Sequence, residues 1–185
     1  MIHEKAIVET EIGEGTNVWA FTHIMPNAKI GNNCNIGEGC FIEADVSIGD
    51  NVTIKNGVYI WNGVIIEDDC FIGPNVTFIN DRYPRSKQFL DKYIGAKICK
   101  GASIGANSTI HSGIVVGVHS MIGAGSVVTR TVKDFELSYG NPTRHHGYIC
   151  ICSKKLIFNN VFDKEFAVCT CGLKYRKENG RVVCL

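Results

Sequence analysis

The chain has 185 residues, a formal net charge of +1 at pH 7 and 45% hydrophobic residues. This near-zero charge gives no electrostatic reason to expect nucleic-acid or membrane binding. No apolar run approaches the roughly 18 residues of a membrane-spanning helix, and no basic segment followed by an apolar stretch opens the chain. We therefore expect a cytoplasmic protein with one main domain and a tail.

A hexapeptide repeat follows residues 1–11, which we expect to form a capping strand over its open end. A bulky apolar side chain stands at every sixth position from Ile12 to Phe78, and the spacing resumes from Ile98 to Val128. A hexapeptide period is typical of a parallel β-helix, in which three hexads make one triangular coil. Counting 12 hexads before the interruption and 6 after it predicts an all-β prism of six coils.

The other positions of each hexad fit the interior and the corners of such a prism. The fifth position is small or β-branched, so one large and one small side chain per wall fill a narrow interior. Gly, Asn and Asp tolerate the positive φ that tight corners require. They cluster where we predict corners, at residues 31–33, 49–51 and 68–69.

Residues 80–97 are predicted to leave the prism as a long loop. The next hexad is due at position 84, but the repeat resumes only at Ile98, so a long segment is inserted between the two positions. Long loops on a rigid scaffold usually carry function. An inert scaffold has no use for such an interruption, although it stays the non-enzyme alternative.

The repeat decays after Val128, and Gly-Asn-Pro-Thr-Arg at residues 140–144 predicts the turn that ends the prism. Residues 1–144 are thus expected to form the main domain. Residues 145–185 lack hexads, and we predict that they fold back as a small β subdomain. Its expected strands lie near residues 147–151, 155–158, 166–169 and 181–184.

Nine cysteines divide into groups by position. Cys34, Cys40 and Cys70 occupy the small interior slot and are explained as buried hydrophobes in a reduced protein. The tail carries two Cys-x-Cys pairs, separated by a span that suits a hairpin. We expect free thiols there, and keep a structural zinc site and disulfides as alternatives. The two pairs are Cys150 with Cys152, and Cys169 with Cys171.

The hexads, the loop and the closing Gly-Asn-Pro-x-Arg together resemble the hexapeptide-repeat acyltransferases, over about residues 1–150. The resemblance implies a left-handed β-helix, a homotrimer with active sites between subunits, and acyl transfer from coenzyme A. A narrower similarity is to the dTDP-3-amino-3,6-dideoxyhexose N-acetyltransferases, which use acetyl-CoA to modify sugars of surface polysaccharides such as O-antigen. It is carried by residues 19–24, 57–64, 73–76 and 80–87. The sister group acts on UDP-2-acetamido-3-amino-2,3-dideoxyglucuronate, but Asn-Asp-x-x-Pro-Arg-Ser favours the dTDP-sugar group.

The predicted catalytic residues form a polar column at the root of the loop. Residues three hexads apart occupy the same place on successive coils, so Asn62 and Asn80 should stack about 5 Å apart, with His111 and Ser112 next. The resemblance places the Asn that opens the Asn-Asp motif near the acceptor amine. It implies a substrate-assisted route, in which orientation and backbone N–H groups suffice and the departing thiolate takes the proton. The alternative is a general base, His111.

Two further sets of residues are predicted to bind substrate and cofactor. The basic loop suits a pyrophosphate, and its aromatic residues suit a thymine ring. The late coils are the expected coenzyme A groove, with basic residues for its phosphates. The substrate set is His23, Asp81, Arg82, Tyr83, Arg85, Lys87 and Tyr93; the cofactor set is Gly105, Ala106, Ser120, Gly123, Ala124, Lys133 and Arg144.

Three rival functions share the predicted fold. A sugar O-acetyltransferase or a serine acetyltransferase would be expected to need a firm histidine base, and would leave the Asn-Asp-x-x-Pro-Arg loop unexplained. A γ-type carbonic anhydrase needs histidines spaced to bind zinc between subunits, and His111 and His119 give no convincing set. An inert scaffold would not bind coenzyme A at all.

Overall fold

The computed structural model describes residues 1–161 and 164–185, and all regular elements in these ranges are strands. Among the described residues, no helix has the length and hydropathy needed to cross a bilayer. The strands of the repeat are very short, as flat walls between frequent corners require. In chain order they are β1 Ile7–Val8, β2 Asn17–Val18, β3 His23–Ile24, β4 Lys29–Ile30, β5 Asn35–Ile36, β6 Phe41–Ile42, β7 Ser47–Ile48, β8 Thr53–Ile54, β9 Tyr59–Ile60, β10 Ile65–Ile66, β11 Phe71–Ile72, β12 Thr77–Phe78, β13 Lys97–Ile98, β14 Ser103–Ile104, β15 Thr109–Ile110, β16 Val115–Val116, β17 Met121–Ile122 and β18 Val127–Val128.

These strands form the three walls of a parallel solenoid, which confirms the predicted architecture. The first wall is β1-β3-β6-β9-β12-β15-β18, and the second is β4-β7-β10-β13-β16. The third is β2-β5-β8-β11-β14-β17, continued by β19 (Glu136–Tyr139). Ladder partners lie three hexads apart in the sequence, as Ile24 and Ile42 do. The left hand of the coil stays a prediction.

The solenoid has about seven coils rather than the predicted six, because the segment before the first full hexad adds to it. Ile2 bridges Val18, β1 pairs in parallel with β3, and Ile12 bridges Ile30. The prediction counted only unbroken hexads. The first coil is shorter than three hexads, because Ile7 pairs with His23, which is nearer in sequence than three full hexads. The first segment is therefore a coil of the prism and not a separate cap.

The interior is filled as the repeat predicts, by stacked isoleucines with small residues between them. Cys34, Cys40 and Cys70 lie in that interior. Burial raises the pKa of all three thiols, that of Cys70 to about 12. The corners also match, because Asn33 and Asp69 have φ values of 53° and 60°.

The predicted loop leaves the solenoid between the first and second walls, after β12, and returns at β13. Ile66 pairs with Ile98 rather than with a residue three hexads on, which confirms the predicted insertion. The loop closes by close backbone approach: a Cβ on Gly95 would lie 2.2 Å from the carbonyl carbon of Gly63. Only glycine fits there, so the loop begins and ends at one fixed corner.

A polar cluster ends the repeat, and we call Arg130, Glu136 and Ser138 the polar plug. Glu136 and Ser138 are buried, and Arg130 is half-buried. Ser138 pairs with Ile122, so a hydroxyl takes the place of the next interior isoleucine. Arg130 pairs with Glu136 and donates to Ser138 Oγ at 3.0 Å. Burial opposes ionisation of Glu136, but hydrogen bonds from Arg130, Ser138 and the Lys133 N–H outweigh it and lower its pKa.

The tail is built from antiparallel strands. β20 (Arg144–Ile149) pairs with β19 and with β21 (Lys155–Leu156), so the first hairpin extends the third wall. A second sheet contains β22 Asn159–Val161, β23 Lys164–Val168, β24 Lys174–Glu178 and β25 Arg181–Cys184. All four predicted strands have counterparts. The strands β22 and β24 were not predicted; the sequence of β24, Lys-Tyr-Arg-Lys-Glu, has a single apolar side chain facing inward. The domain boundary at residue 144 stays a prediction.

Candidate active site

Asn62 and Asn80 stack at the root of the loop, as the register of the repeat predicts. Asn80 Nδ2 donates a hydrogen bond to the Asn62 carbonyl oxygen at 3.3 Å, and both residues are half-buried. The pairing of Phe78 with Ile110 puts Ser112 one coil beyond Asn80. The pairing of Ile110 with Val128 puts Arg130 one coil further. The column of third hexad positions is thus Asn62, Asn80, Ser112 and Arg130.

The Asn62 side chain is held from below by the preceding coil. Its Nδ2 donates to the Ala44 carbonyl at 3.2 Å and to Asp45 Oδ2 at 3.3 Å, and its backbone N–H donates to Glu43 Oε2 at 2.7 Å. The amide hydrogens are engaged, which leaves Oδ1 as the group that a ligand can reach. An amide oxygen accepts hydrogen bonds and does not act as a base at neutral pH.

His111 lies in the coil next to Asn80, as predicted, beside Ser112. Its backbone N–H donates to the Val128 carbonyl at 3.1 Å, which fixes it at the end of β15. The ladder register places it above Ile79, about 5 Å along the axis. The residue is half-buried at the surface of the corner. His111 therefore borders the column, one coil beyond Asn80.

The loop that carries most of the predicted substrate-binding residues leaves and rejoins the prism at this corner. Asp81 Oδ1 accepts the Tyr83 N–H at 2.9 Å, which shapes the first turn of the loop. The Arg82 guanidinium lies over the Tyr83 ring at 5.9 Å. Most of the set is exposed, and Asp81 and Tyr93 are half-buried. The remaining loop residues of this set are Arg85 and Lys87.

His23 is not brought to this corner within one chain. It lies on the outer face of the first wall, three strands before β12 and thus roughly 14 Å along the axis. Its Nε2 lies 2.8 Å from Glu9 Oε2, and its ring packs edge-on against Phe41 at 5.5 Å. His23 thus takes part in structural contacts on the first wall, with Glu9 and Phe41.

An aromatic ladder that the sequence analysis missed joins His23 to the column. Phe41 packs against Tyr59 at 6.5 Å and against Trp61 at 5.6 Å, and Trp61 precedes Asn62. With His23 and Phe21, these rings line a shallow cavity of about 360 Å³. The signal was present in the outward positions of the repeat, since Phe41 and Tyr59 hold equivalent places on successive coils.

The predicted cofactor residues fall into separate places. Gly105 and Ala106 stack below Gly123 and Ala124 at the corner between the third and first walls; a Cβ on Gly105 would lie 2.5 Å from Ala124 N. Ser120 is at another corner and points inward. It is 1% exposed, and its hydroxyl donates to the Gly117 carbonyl at 2.7 Å. Ser120 is therefore an interior side chain, out of reach of a bound cofactor.

Lys133 and Arg144 do come together, over the polar plug. They line one cavity of about 410 Å³ with Arg130 and His145. Glu136 is the buried carboxylate at this cavity, and His145 Nδ1 lies 3.5 Å from it. Three guanidinium or ammonium groups against one carboxylate leave a net positive site, which suits phosphate groups. Arg130 was not singled out in the sequence, although counting hexads across the loop places it in the same column as Asn80.

The four cysteines of the two Cys-x-Cys pairs also come together in the tail. All four Sγ atoms lie within 4.8 Å of one another, and Cys150 and Cys169 are buried whereas Cys152 and Cys171 are exposed. The sequence left free thiols, zinc and disulfides open, with free thiols expected. The geometry makes this cluster, among the described residues, the group of side chains best arranged to hold a metal ion.

Comparison with protein families finds hexapeptide repeats on both sides of the loop. Residues 9–44 and 45–80 match the family described as bacterial transferase hexapeptide (six repeats), and residues 95–130 match the hexapeptide repeat of succinyl-transferase. Among curated proteins, the chain is 58% identical over 182 residues to the dTDP-3-amino-3,6-dideoxy-alpha-D-galactopyranose 3-N-acetyltransferase of Aneurinibacillus thermoaerophilus. That match covers 98% of this chain and 93% of the relative.

Two solved structures show the same fold at low sequence identity. One is an N-acyltransferase from Bacillus cereus in complex with dTDP-4-amino-4,6-dideoxyglucose and coenzyme A, with a TM-score of 0.65 and 23% identity over 74% of this chain and 82% of that one. The other is a UDP-N-acetylglucosamine acyltransferase from Bacteroides fragilis, with a TM-score of 0.54 and 18% identity. That match covers 80% of this chain and 74% of the other. Both support the solenoid architecture.

Proposed function

This chain belongs to the bacterial hexapeptide-repeat transferases, and from that premise we propose that it is an acetyl-CoA-dependent sugar N-acetyltransferase. Its proposed acceptor is the 3-amino group of dTDP-3-amino-3,6-dideoxygalactose. The observation that carries this proposal is the 58% identity, over 98% of the chain, to an enzyme named for that reaction. The loop that begins at Asn80 supports it, because the dTDP-sugar group is distinguished by this loop.

The stacked asparagines suit an amine acceptor. The neutral amine donates its N–H to Asn80 Oδ1 or Asn62 Oδ1 and keeps its lone pair directed at the thioester carbonyl of acetyl-CoA. The C–N bond forms, the C–S bond breaks, and the leaving thiolate takes the proton that the new amide releases. Orientation of two reactants can supply much of such a rate enhancement, so no base is required of the asparagines.

The charged groups at either side of the column suit the two bound nucleotides. Arg82, Arg85 and Lys87 on the loop suit the pyrophosphate of the sugar nucleotide. Lys133, Arg144 and Arg130 around the cavity over the polar plug suit the phosphates of coenzyme A. Arg130 lies two coils from Asn80, about 10 Å along the axis. That spacing lets an extended pantetheine arm carry the thioester back to the column.

We place the active site between the subunits of a homotrimer. Asn62 and Asn80 lie on the outer surface of a convex prism. The opposite side of a binding cleft at this place therefore has to come from a neighbouring copy. The outer faces carry exposed apolar side chains for such packing, among them Tyr59 and Phe71. The enzyme would work in the cytoplasm, where acetyl-CoA is available, on a sugar for surface polysaccharide.

The test is a panel of acceptors with acetyl-CoA, followed by the release of free thiol. The panel contains dTDP-3-amino-3,6-dideoxygalactose, its C4 epimer, the corresponding 4-amino sugars, and UDP-2-acetamido-3-amino-2,3-dideoxyglucuronate. We expect the highest kcat/KM with the first, and mass spectrometry should show one added acetyl group on nitrogen. A preference for the UDP sugar would assign the chain to the sister group. If none of these sugars is acetylated, the proposal is overturned, whether or not the protein binds coenzyme A.

A further inference from the structure

The two Cys-x-Cys pairs of the tail sit on two hairpin turns of the same construction. In the first, Cys150 N–H donates to the Lys154 carbonyl and Ser153 N–H donates to the Cys150 carbonyl, both at 2.8 Å. In the second, Cys169 N–H donates to the Leu173 carbonyl at 2.8 Å and Gly172 N–H to the Cys169 carbonyl at 2.9 Å. Each is a tight hairpin loop closed by a residue with positive φ.

This turn explains the spacing of the cysteines. Ser153 and Gly172 have φ values of 67° and 95°, and each follows directly after a Cys-x-Cys pair. In a straight strand, the two side chains of a Cys-x-Cys pair would lie on one face but would be separated along the strand direction. Within a tight turn, the first thiol lies at its base and the second folds over toward it, so both converge on one point.

The two turns face each other and bring four sulfur atoms into one cluster. Cys150 Sγ lies 3.5 Å from Cys171 Sγ, and Cys152 Sγ lies 3.5 Å from Cys169 Sγ. No pair of ligand atoms in the cluster is more than 4.8 Å apart. Four sulfurs bound to one zinc ion at about 2.3 Å in a tetrahedron lie slightly under about 4 Å apart, which this spacing matches.

A buried tyrosine supports the cluster from behind. Tyr175 is fully buried, and its hydroxyl donates to Cys150 Sγ at 3.0 Å while it accepts the Ile151 N–H at 3.2 Å. The Cys152 N–H also approaches Cys150 Sγ, at 3.5 Å. Donors aimed at a sulfur stabilise a thiolate, and such outer contacts are typical of metal ligands.

From this arrangement we infer a structural zinc site formed by Cys150, Cys152, Cys169 and Cys171, in a protein proposed above to do metal-independent chemistry. Zn²⁺ displaces the four thiol protons and leaves a closed site of net charge −2. Its four positions are filled by protein, so it is a site for holding structure and not for binding substrate.

The tail needs such a site because its own core is small. Chains as short as the segment 145–185 usually require metals, disulfides or association to fold. The second core of the protein includes Cys150 and Cys169 themselves, packed with Tyr175 and Phe135. One zinc ion would tie the hairpin that extends the third wall to the separate sheet of β22 to β25.

The first experiment measures metal in the full-length protein. We expect about one zinc ion per chain after purification under reducing conditions and desalting, released by a mercurial that titrates thiols. The Co²⁺-substituted protein should show the intense visible and near-ultraviolet bands of tetrahedral cobalt thiolate. A fully reduced protein that holds no zinc and takes up no cobalt would overturn the inference. So would alkylation of the denatured protein that finds these four cysteines in disulfides.

Single substitutions separate ligation from folding. Cys171→Ser should lose most of the bound zinc, whereas Cys171→His, which keeps a zinc-ligating atom, should retain it and show a shifted cobalt spectrum. Cys99→Ser and Cys184→Ser are matched controls outside the cluster and should keep the full zinc content. Equal zinc content in Cys171→Ser and the controls would contradict the site. None of these readouts depends on acetyl transfer, so failure of the proposed enzyme activity leaves them unaffected.

Discussion

The prism and the tail fill their interiors by different rules. In the prism each coil repeats the one before, so Ile24, Ile42 and Ile60 stack directly and a local period dictates contacts between coils. In the tail the strands are antiparallel hairpins, and the contacts that matter join residues such as Cys150 and Cys171 with no period to relate them. Regularity makes the first region predictable from sequence. The proposed active site and the cysteine cluster lie where the repeat is interrupted or has ended, at the inserted loop and in the tail.

The largest effect is expected from a substitution that breaks the repeated core. Ile66 is 1% exposed between Ile48 and Ile98, so Ile66→Ala should cost about 4 kcal/mol of unfolding free energy through lost burial and a cavity. Its neighbour Ile65 is on the same strand but 44% exposed, and Ile65→Ala should cost less than about 1 kcal/mol. Chemical denaturation measures both. A large cost at Ile65 would show instead that the second wall, too, is packed against another chain.

The next prediction concerns the place where the prism is interrupted. Asn80→Ala should lower kcat/KM for the best acceptor by about a hundredfold, equivalent to about 2.7 kcal/mol, because the amine loses its orienting acceptor. Asn56→Ala is the matched control, since Asn56 holds the same hexad position at another corner. Thermal unfolding of both variants should be near that of the unaltered protein. Full activity of Asn80→Ala would move the active site away from the loop root.

A third prediction tests the junction between prism and tail. Glu136→Gln should cost about 2 kcal/mol at neutral pH, less than a fully buried pair because the Arg130 side chain is 37% exposed. Because the folded pKa of Glu136 is lowered, its stabilisation is present above the ordinary pKa of 4.5 and is lost as pH falls through the folded pKa. Unfolding followed from neutral to acidic pH should therefore show a smaller acid destabilisation for Glu136→Gln than for the unaltered protein. Parallel curves for the two proteins would contradict this account.

The same contrast explains what could be predicted from the sequence. The period determines the walls, the corners at Asn33 and Asp69, the inserted loop and the stacking of Asn62 on Asn80, since each follows from counting. Ser120 was assigned to the cofactor groove because it is polar. Its place in the hexad is the small interior position, and that position determines that its side chain points inward. The first coil was missed because its spacing falls short of three hexads. The cysteine cluster and the polar plug depend on pairings between non-periodic segments, for which one sequence carries no register.

The smallest effect is expected at His111, and it decides how the proton leaves. In the substrate-assisted route the imidazole only borders the column, so His111→Ala should reduce kcat by less than about fivefold and leave the shape of the pH–rate profile unchanged. A general base contributes about a hundredfold or more, and its removal would abolish the acidic limb of the kcat profile. His111→Asn is the control for shape, because it keeps a polar side chain of similar reach without a titrating group. If both variants lose about a hundredfold while Asn80→Ala loses little, the catalytic centre lies one coil higher and proton transfer belongs to His111.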